Sequence, residues 1–460
     1  MSSKRKKILL LSDDCRMHSG IARMSREFIM GTVEHYDWVQ IGGAIKHPEA
    51  GKRLAIKSDD GFTLPRENCI IIYPTDGYGN PDMLRNIIDI EKPDAILHYT
   101  DPRFWVWLYN MEHEIRQDIP IMYYNIWDDL PDPHWNRDFY RSCDLLMAIS
   151  KQTYGINKRI LSKYDYKDWQ IKYVPHGIND VRFNKIDKND TKFKEFEQTH
   201  GLSKYKFKIL YSNRNIRRKQ PGDVALAYKH MMDKLTPEQR KECCLIFHSV
   251  PVDENGTDMK ALCRNLLPDY PVIFTYENKK NGAFNDEEMN FVFNSSDVYI
   301  NIASNEGFGL GSAEALTVGT PIVVNVTGGL QDQCGFKNEK GDYLTAEDYV
   351  ELGSNHRGEY KEHGEWVKPV YPTNISCQGS PQTPYIFDDR CSSEHAGEAL
   401  LEWYKAGPEE RERCGELGRQ FVKSDFSAMD SEKMSELFIE SMDTTLEKWN
   451  PQPKYTMEVI

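Results

Sequence analysis

Apolar residues along this chain fall into short dense runs, separated by longer stretches in which they recur every three or four positions. In the first part the runs are KILLLS (7–12), WVQIGG (38–43), CIIIYP (69–74), AILHYT (95–100), IPIMYYN (119–125), LLMAIS (145–150) and IKYVPHG (171–177). Runs that are apolar throughout, rather than alternating, predict strands buried on both faces. The stretches between them, such as GIARMSREFIMGTVEHY, PDMLRNIIDIEK, FWVWLYNMEHEIRQ and KQTYGINKRILSKY, carry helical spacing. In the third of these, Phe104, Trp107 and Leu108 read as core. Strands alternating with helices predict a parallel sheet covered on both sides.

The rhythm stops at NKIDKNDTKFKEFEQTHGLSKYKF, which is charged and poor in aliphatics, and residues 186–206 read as a linker. It restarts with KILYSN (208–213), CLIFHSV, VIFTYE, DVYINI and PIVVNV, again with helical stretches between. Two α/β domains follow: residues 1–185, rejoined by a helix at about 427–448, and residues 207–426. From 334 to 390 the chain is rich in Gly, Pro and charge, and reads as an irregular insertion.

A length of 460 residues suits two such domains. No run reaches the roughly 18 apolar residues of a membrane span. The apolar part of the N-terminus is too short for a secretory signal. Ten cysteines without metal or redox spacing point to reduced, buried thiols and a cytoplasmic protein. The net charge of −13, with the excess acid mainly beyond residue 180, argues mildly against a general nucleic-acid binder but says little about a local groove.

The candidate chemistry lies in SNEGFGLGSAE (304–314), where Glu306 and Glu314 stand eight positions apart around three glycines, after a strand and before a helix. Free amides at a helix N-terminus make an anion site, and glycines let a ligand reach the backbone. The acids would repel phosphate, so they are assigned to neutral hydroxyls. A ligand with both groups is a nucleotide-sugar. Cations to match are found in SNRNIRRKQPGD, after the first strand of the same domain, where Arg214 and Lys219 suit a diphosphate leaving group. Arg217 and Arg218 read as solvated. The bland alternatives are a plain glycine turn, a first-turn acid at Glu314 and a surface cation cluster.

NEGFGLGSAEALTVGTPIVVNVTGG resembles the Glu-x7-Glu signature of retaining glycosyltransferases of the glycogen-synthase and sucrose-synthase type. SGIAR, LMAISKQT, VPHGIND and the Arg/Lys pair follow in that family's order. The resemblance spans roughly residues 7–333 and the final helices. It implies the GT-B fold, two doubly wound Rossmann-like domains facing a central cleft, and a retaining, metal-independent transfer from a nucleotide-sugar, most simply a UDP-sugar. By that resemblance Glu314 holds the ribose, Glu306 the donor sugar, and the amides of Gly307, Phe308, Gly309 and Leu310 the sugar and phosphates. Arg214 and Lys219 hold the diphosphate, and Gly20 approaches the donor from the first domain. Many relatives carry a His-Asp pair where this chain has Trp127-Asp128, so the resemblance leaves Asp128, or Asn125 just upstream, to meet the donor sugar. Aspartate pairs at 13–14, 128–129 and 388–389 invite a metal, which the resembled fold does not use.

For the acceptor, Tyr99, Thr100, Asp101, Arg103 and Trp127 are the candidates at strand ends of the first domain. HYTDPRFWVWLY and PIMYYNIWDDLPDP resemble glycosyltransferases of large tailed phages. That resemblance implies the hydroxymethyl group of a modified pyrimidine in double-stranded DNA as acceptor, such as hydroxymethylcytosine. Residues 4–7, Arg137, Arg141, Lys158 and Arg159 would form its phosphate track. The alternatives are a surface polysaccharide or lipid-linked glycan and, from another class, a catalytically silent nucleotide-sugar-binding protein.

Overall fold

The computed structural model describes residues 4–58, 62–278 and 284–453. The chain divides into two compact units. The first holds the chain up to Trp127, then Asp132–Gly177, then the segment from Ser431 on; the second holds Asp128–Pro131 and Ile178–Asp430.

The first unit is built on eight strands: β1 Lys6–Asp13, β2 Tyr36–Gly43, β3 Leu54–Ala55, β4 Ile70–Pro74, β5 Ala95–Tyr99, β6 Ile121–Asn125, β7 Leu145–Ala148 and β8 Ile171–Tyr173. Their order in the sheet is β3-β4-β2-β1-β5-β6-β7-β8. Every pairing is parallel except that of β3, which runs antiparallel along the edge. The first four apolar runs were buried for the reason their composition gave: Ile8 to Leu11 and Ile70 to Ile72 are almost completely enclosed. Helices start where a side chain can cap them. Ser19 accepts from the Ala22 amide before Gly20–Thr32, and Ser150 from Thr153 before Lys151–Leu161. The helix Ser431–Lys448 packs on Gly20–Thr32 so closely that a Cβ at Gly31 would lie 1.9 Å from Ser435 Oγ.

The second unit repeats the plan with β9 Phe207–Ser212, β10 Cys243–His248, β11 Val272–Phe274, β12 Val298–Asn301, β13 Ile322–Asn325 and β14 Val367–Val370. The order β11-β10-β9-β12-β13-β14 is the doubly wound one, with its switch point between β9 and β12. In the first unit the corresponding switch lies between β1 and β5.

Three expectations need correction here. The stretch 186–206 is not a bare linker: Thr191–Thr199 is a helix, capped by Asp190, whose Phe193 and Phe196 bury against Phe291 within the second unit. The region 334–390 is not wholly irregular. It supplies β14, whose Pro369 is tolerated because the strand lies at the sheet edge, and an antiparallel hairpin, β15 Pro372–Ser380 with β16 Thr383–Cys391. Phe104 is not core: it is 52% exposed and stacks on Tyr78 at 4.8 Å, while Trp105, Leu108 and Tyr109 take the buried places.

Candidate functional site

Two loops leave the carboxyl ends of β9 and β12, on either side of the second unit's switch point, where open α/β sheets bind ligands. From the β9 side comes the short 3-10 turn Arg217–Lys219, which swings Lys219 inward until it is 8% exposed. From the β12 side comes the glycine turn leading into the helix Leu310–Thr317. The two loops meet in an ion pair: Lys219 Nζ donates to Glu306 Oε2, and both side chains are about nine-tenths enclosed.

Arg218 joins them. Its guanidinium donates to the Asn305 carbonyl at 2.7 Å and lies 3.7 Å from Glu306 and 3.8 Å from Asp128. Asp128–Pro131 belongs to this unit, and Asp129 accepts from the Asn305 side-chain amide. The site therefore sets a buried ammonium and a guanidinium that is 42% exposed beside a group of acids. Burial raises the Glu306 carboxyl, but Lys219 and Arg218 outweigh it and hold the group below the usual carboxylate range. Burial pulls the Lys219 amine down, against the attraction of Glu306. Asp129 goes the other way: burial and then the charge of Asp128 push it well above its ordinary value, against the pull of Arg218 and Asn305.

The turn is held in shape from two sides. Gly309 sits at φ +91° as the helix N-cap, a conformation side chains rarely adopt, and its amide is bonded by the Glu306 carboxylate. Gln333 donates to the carbonyls of Phe308 and Gly309 at 2.7 and 3.1 Å. Behind the turn, Gly328 (φ +47°) lets the loop after β13 approach so closely that a Cβ there would lie 2.0 Å from the Glu306 carbonyl. The Gly329 amide donates to that carbonyl at 2.8 Å. Phe308 is buried, whereas Gly307 and Leu310 are partly open. Glu314 lies beyond the first turn of its helix and is 3% exposed, so the reading of it as a plain first-turn acid fails.

The structure brings together Lys219, Glu306 and Asp128, and adds Arg218, Asp129 and Asn305, which the sequence reading did not assign. It does not bring Arg214 in: that guanidinium is 66% exposed and bonds Asp253 at 3.2 Å. No spacing rule could have separated Arg214 from Arg218, since the choice rests on how the turn after β9 winds.

In the first unit, Gly20 is exposed at the first position of its helix. Asp101 and Arg103 are partly open at the end of β5 and paired with each other. Three acceptor candidates are corrected. Tyr99 is fully buried, its ring against Phe28 and Tyr124 and its hydroxyl 3.3 Å from His176. Thr100 is 4% exposed, and its carbonyl accepts from Tyr123. Trp127 packs edge-on against Trp135 with its backbone tied to Asn125 and Thr153. The open groups are instead Asp13, bonded to Ser19 at 3.2 Å and Tyr78 at 3.5 Å and raised by burial, with the stacked Tyr78 and Phe104.

Most cations of the expected basic track are paired with acids. Arg5 pairs with Glu34, Lys6 with Asp94, Lys7 with Glu91, Arg137 with Asp138, Lys158 with Asp168 and Arg159 with Asp132, while Arg141 covers the Tyr164 ring. Residues 4–7 also lead into β1, at the end of the sheet opposite Asp13. Among the described residues no helix is long and apolar enough to cross a membrane. All ten cysteines are free thiols, and all but Cys377 are buried.

No family model matches the chain. It is 24% identical over 193 residues to mannosylfructose-phosphate synthase of Agrobacterium fabrum, a match covering 42% of this chain and 39% of that protein. The chain thus aligns with about two-fifths of the length of this curated relative. Among solved structures, Anabaena HepE in complex with UDP and glucose is similar over 96% of this chain and 100% of its own, with TM-score 0.64 and 12% identity. The sucrose-phosphate synthase of Thermosynechococcus elongatus gives 0.63 and 13%, with 96% and 100% covered. An α,α-trehalose-phosphate synthase (UDP-forming) from Burkholderia vietnamiensis gives 0.62 and 10%, with 97% and 98% covered. The fold, two α/β units each built on a mainly parallel sheet, is therefore that of the GT-B glycosyltransferases.

Proposed function

We propose that the chain is a glycosyltransferase that moves a sugar from a UDP-sugar to an acceptor hydroxyl, with retention at the donor carbon and without a metal ion. The observation that carries this is the ion pair of Lys219 and Glu306 at the second unit's switch point, beside the glycine turn and Arg218. A diphosphate leaving group develops negative charge as the glycosidic bond breaks. A buried ammonium and a guanidinium fixed in advance stabilise that charge without reorganising. Glu306, kept ionised by the same cations, accepts from hydroxyls of the donor sugar, and Glu314 takes the ribose. Asp128 is within reach of Arg218 and serves the same sugar. Retention follows if the acceptor attacks from the face the diphosphate leaves, the departing phosphate oxygen taking the acceptor proton. No strong protein base is then needed, which agrees with Trp127 standing where relatives carry histidine.

For the acceptor we favour a sugar phosphate. What supports this is that the similar mannosylfructose-phosphate synthase and sucrose-phosphate synthase are named for sugar-phosphate products, and that most of the basic residues a DNA backbone would need are paired with acids. On the first unit, Asp13, Tyr78, Asp101, Arg103 and Phe104 are the groups left to meet it. The test is UDP release from UDP-glucose with hexose phosphates, with hydroxymethylcytosine DNA and with unmodified DNA. Release stimulated by a hexose phosphate and by neither DNA is the expected result. Stimulation by the modified DNA alone would restore the DNA acceptor, and failure of the protein to bind any nucleotide-sugar would end the reading.

A further inference from the structure

The hairpin β15–β16 lies outside both sheets, yet its second strand is tied to the candidate site at four points of its backbone. The Phe387 amide donates to the Leu130 carbonyl and its carbonyl accepts from Asn305 Nδ2, both at 2.6 Å. The Asp389 amide donates to the Ser304 carbonyl at 3.1 Å, and its carbonyl accepts from Asn325 Nδ2 at 2.8 Å. Strand β16 thus pins the segment 128–131 and the loop after β12 at once.

The side chain of Asp389 extends this. It is 4% exposed, accepts from Thr327 Oγ1 at 2.6 Å, and lies 2.6 Å from Nε2 of the buried His356. One enclosed carboxylate therefore gathers the loop after β13 and the connection that precedes β14. Thr327 is followed directly by Gly328 and Gly329, the residues that back the Glu306 carbonyl. A continuous path runs from Asp389 through Thr327 and Gly329 to the backbone of Glu306.

We propose that Asp389, on the second strand of the hairpin and held by Thr327, is a positioning residue that sets Glu306 against the donor sugar. It rests on the donor-binding role of Glu306 given above. The Asp389 side chain meets neither Lys219 nor Arg218 among the described contacts, and its removal leaves the backbone bonds of β16 in place, so its effect is expected to fall first, through Thr327 and the Glu306 backbone, on the sugar end of the donor. That separation provides the test.

UDP and UDP-glucose are titrated by calorimetry into the full chain and into Asp389→Ala, Asp389→Asn and Thr327→Val, and turnover is followed in each. For Asp389→Ala, UDP affinity is expected to stay within about twofold. The extra affinity of UDP-glucose over UDP is lost and kcat falls roughly tenfold or more, as small misplacements of a catalytic group do. Asp389→Asn, which keeps an oxygen for Thr327, recovers part of the loss. A merely structural role would lower melting temperature, or weaken both ligands together, without changing their ratio. An unchanged ratio and kcat in Asp389→Ala overturns the proposal. If that variant does not fold, Thr327→Val reads the same ratio, and no change there overturns it equally. A wild-type chain that binds neither ligand defeats the donor reading itself, which is a different outcome.

Discussion

The six central strands of the first unit run in the order of the six in the second, yet the carboxyl ends at their switch points are furnished differently. In the second unit the space between β9 and β12 is given to charge: Lys219 against Glu306, Arg218 beside both, and a glycine turn opening a helix. In the first, Tyr99 at the end of β5 is buried against Phe28 and Tyr124, and Tyr124 in turn meets His176. Only the rim, from Asp13 to Phe104, stays open. The same scaffold carries an ion-pair cluster beside the switch point of one unit and buried, packed aromatic rings at the end of β5 in the other. Burying opposite charges is costly unless each finds a partner, and in the second unit Lys219 and Glu306 are each other's partner.

The comparison breaks most readily at Lys219. Lys219→Ala is expected to lower kcat by roughly 10²–10³, the cost of removing one group that meets developing charge; single-turnover UDP release measures it. Next is acid stability, which should set the units apart. Burial pushes His98 and His176, both in the first unit, down to about 3 from an ordinary 6.5. They are neutral when folded and take up protons on unfolding, so their contribution is complete above pH 6.5 and declines as pH falls towards 3. At pH 5 each costs about 2 kcal/mol relative to neutral pH. Melting curves from pH 7 to 4 should fall with that slope, and His176→Asn should remove about half of it.

Gly328→Ala comes third, with about 1–3 kcal/mol lost from the second unit, because a methyl group there meets the Glu306 carbonyl; denaturant unfolding followed in that unit reads the loss. Smaller still is Arg214→Ala, expected to change kcat less than about threefold, since its exposed pair with Asp253 contributes little, whereas Arg218→Ala should cost more than tenfold by the argument for fixed charges. Equal effects would show that Arg214 moves inward on donor binding. Tyr99→Phe should leave the acceptor KM within about twofold, since a side chain with no exposed surface makes no direct contact with a ligand.

Much of the fold was legible because its strands are buried on both faces and therefore written as unbroken apolar runs. The exceptions have physical causes. Strand β14 contains Pro369, which reads as a break until the strand is known to lie at an edge. The helix Thr191–Thr199 shows only two large apolar residues, Phe193 and Phe196, in a charged stretch, and these two suffice because both pack on Phe291, with Phe284 and His200 also against Phe196. Within the candidate site, Lys219, Glu306 and the glycine turn could be read because their chemistry is local to two loops. Arg218, Asp129 and Asp389 could not, because what they do depends on which distant loops fold against them. Tyr99 and Trp127 erred in the other direction: a residue at a strand end looks available until the neighbouring aromatics are placed.

The central claim is that the Lys219–Glu306 pair is the grip on the donor, and calorimetric titration of UDP-glucose into the wild-type chain and Lys219→Ala tests it most directly. The account predicts saturable binding by the wild type and at least about tenfold weaker binding by the variant, the size expected for one lost charge-assisted contact. Equal affinity in the two proteins, with both folded, would contradict it.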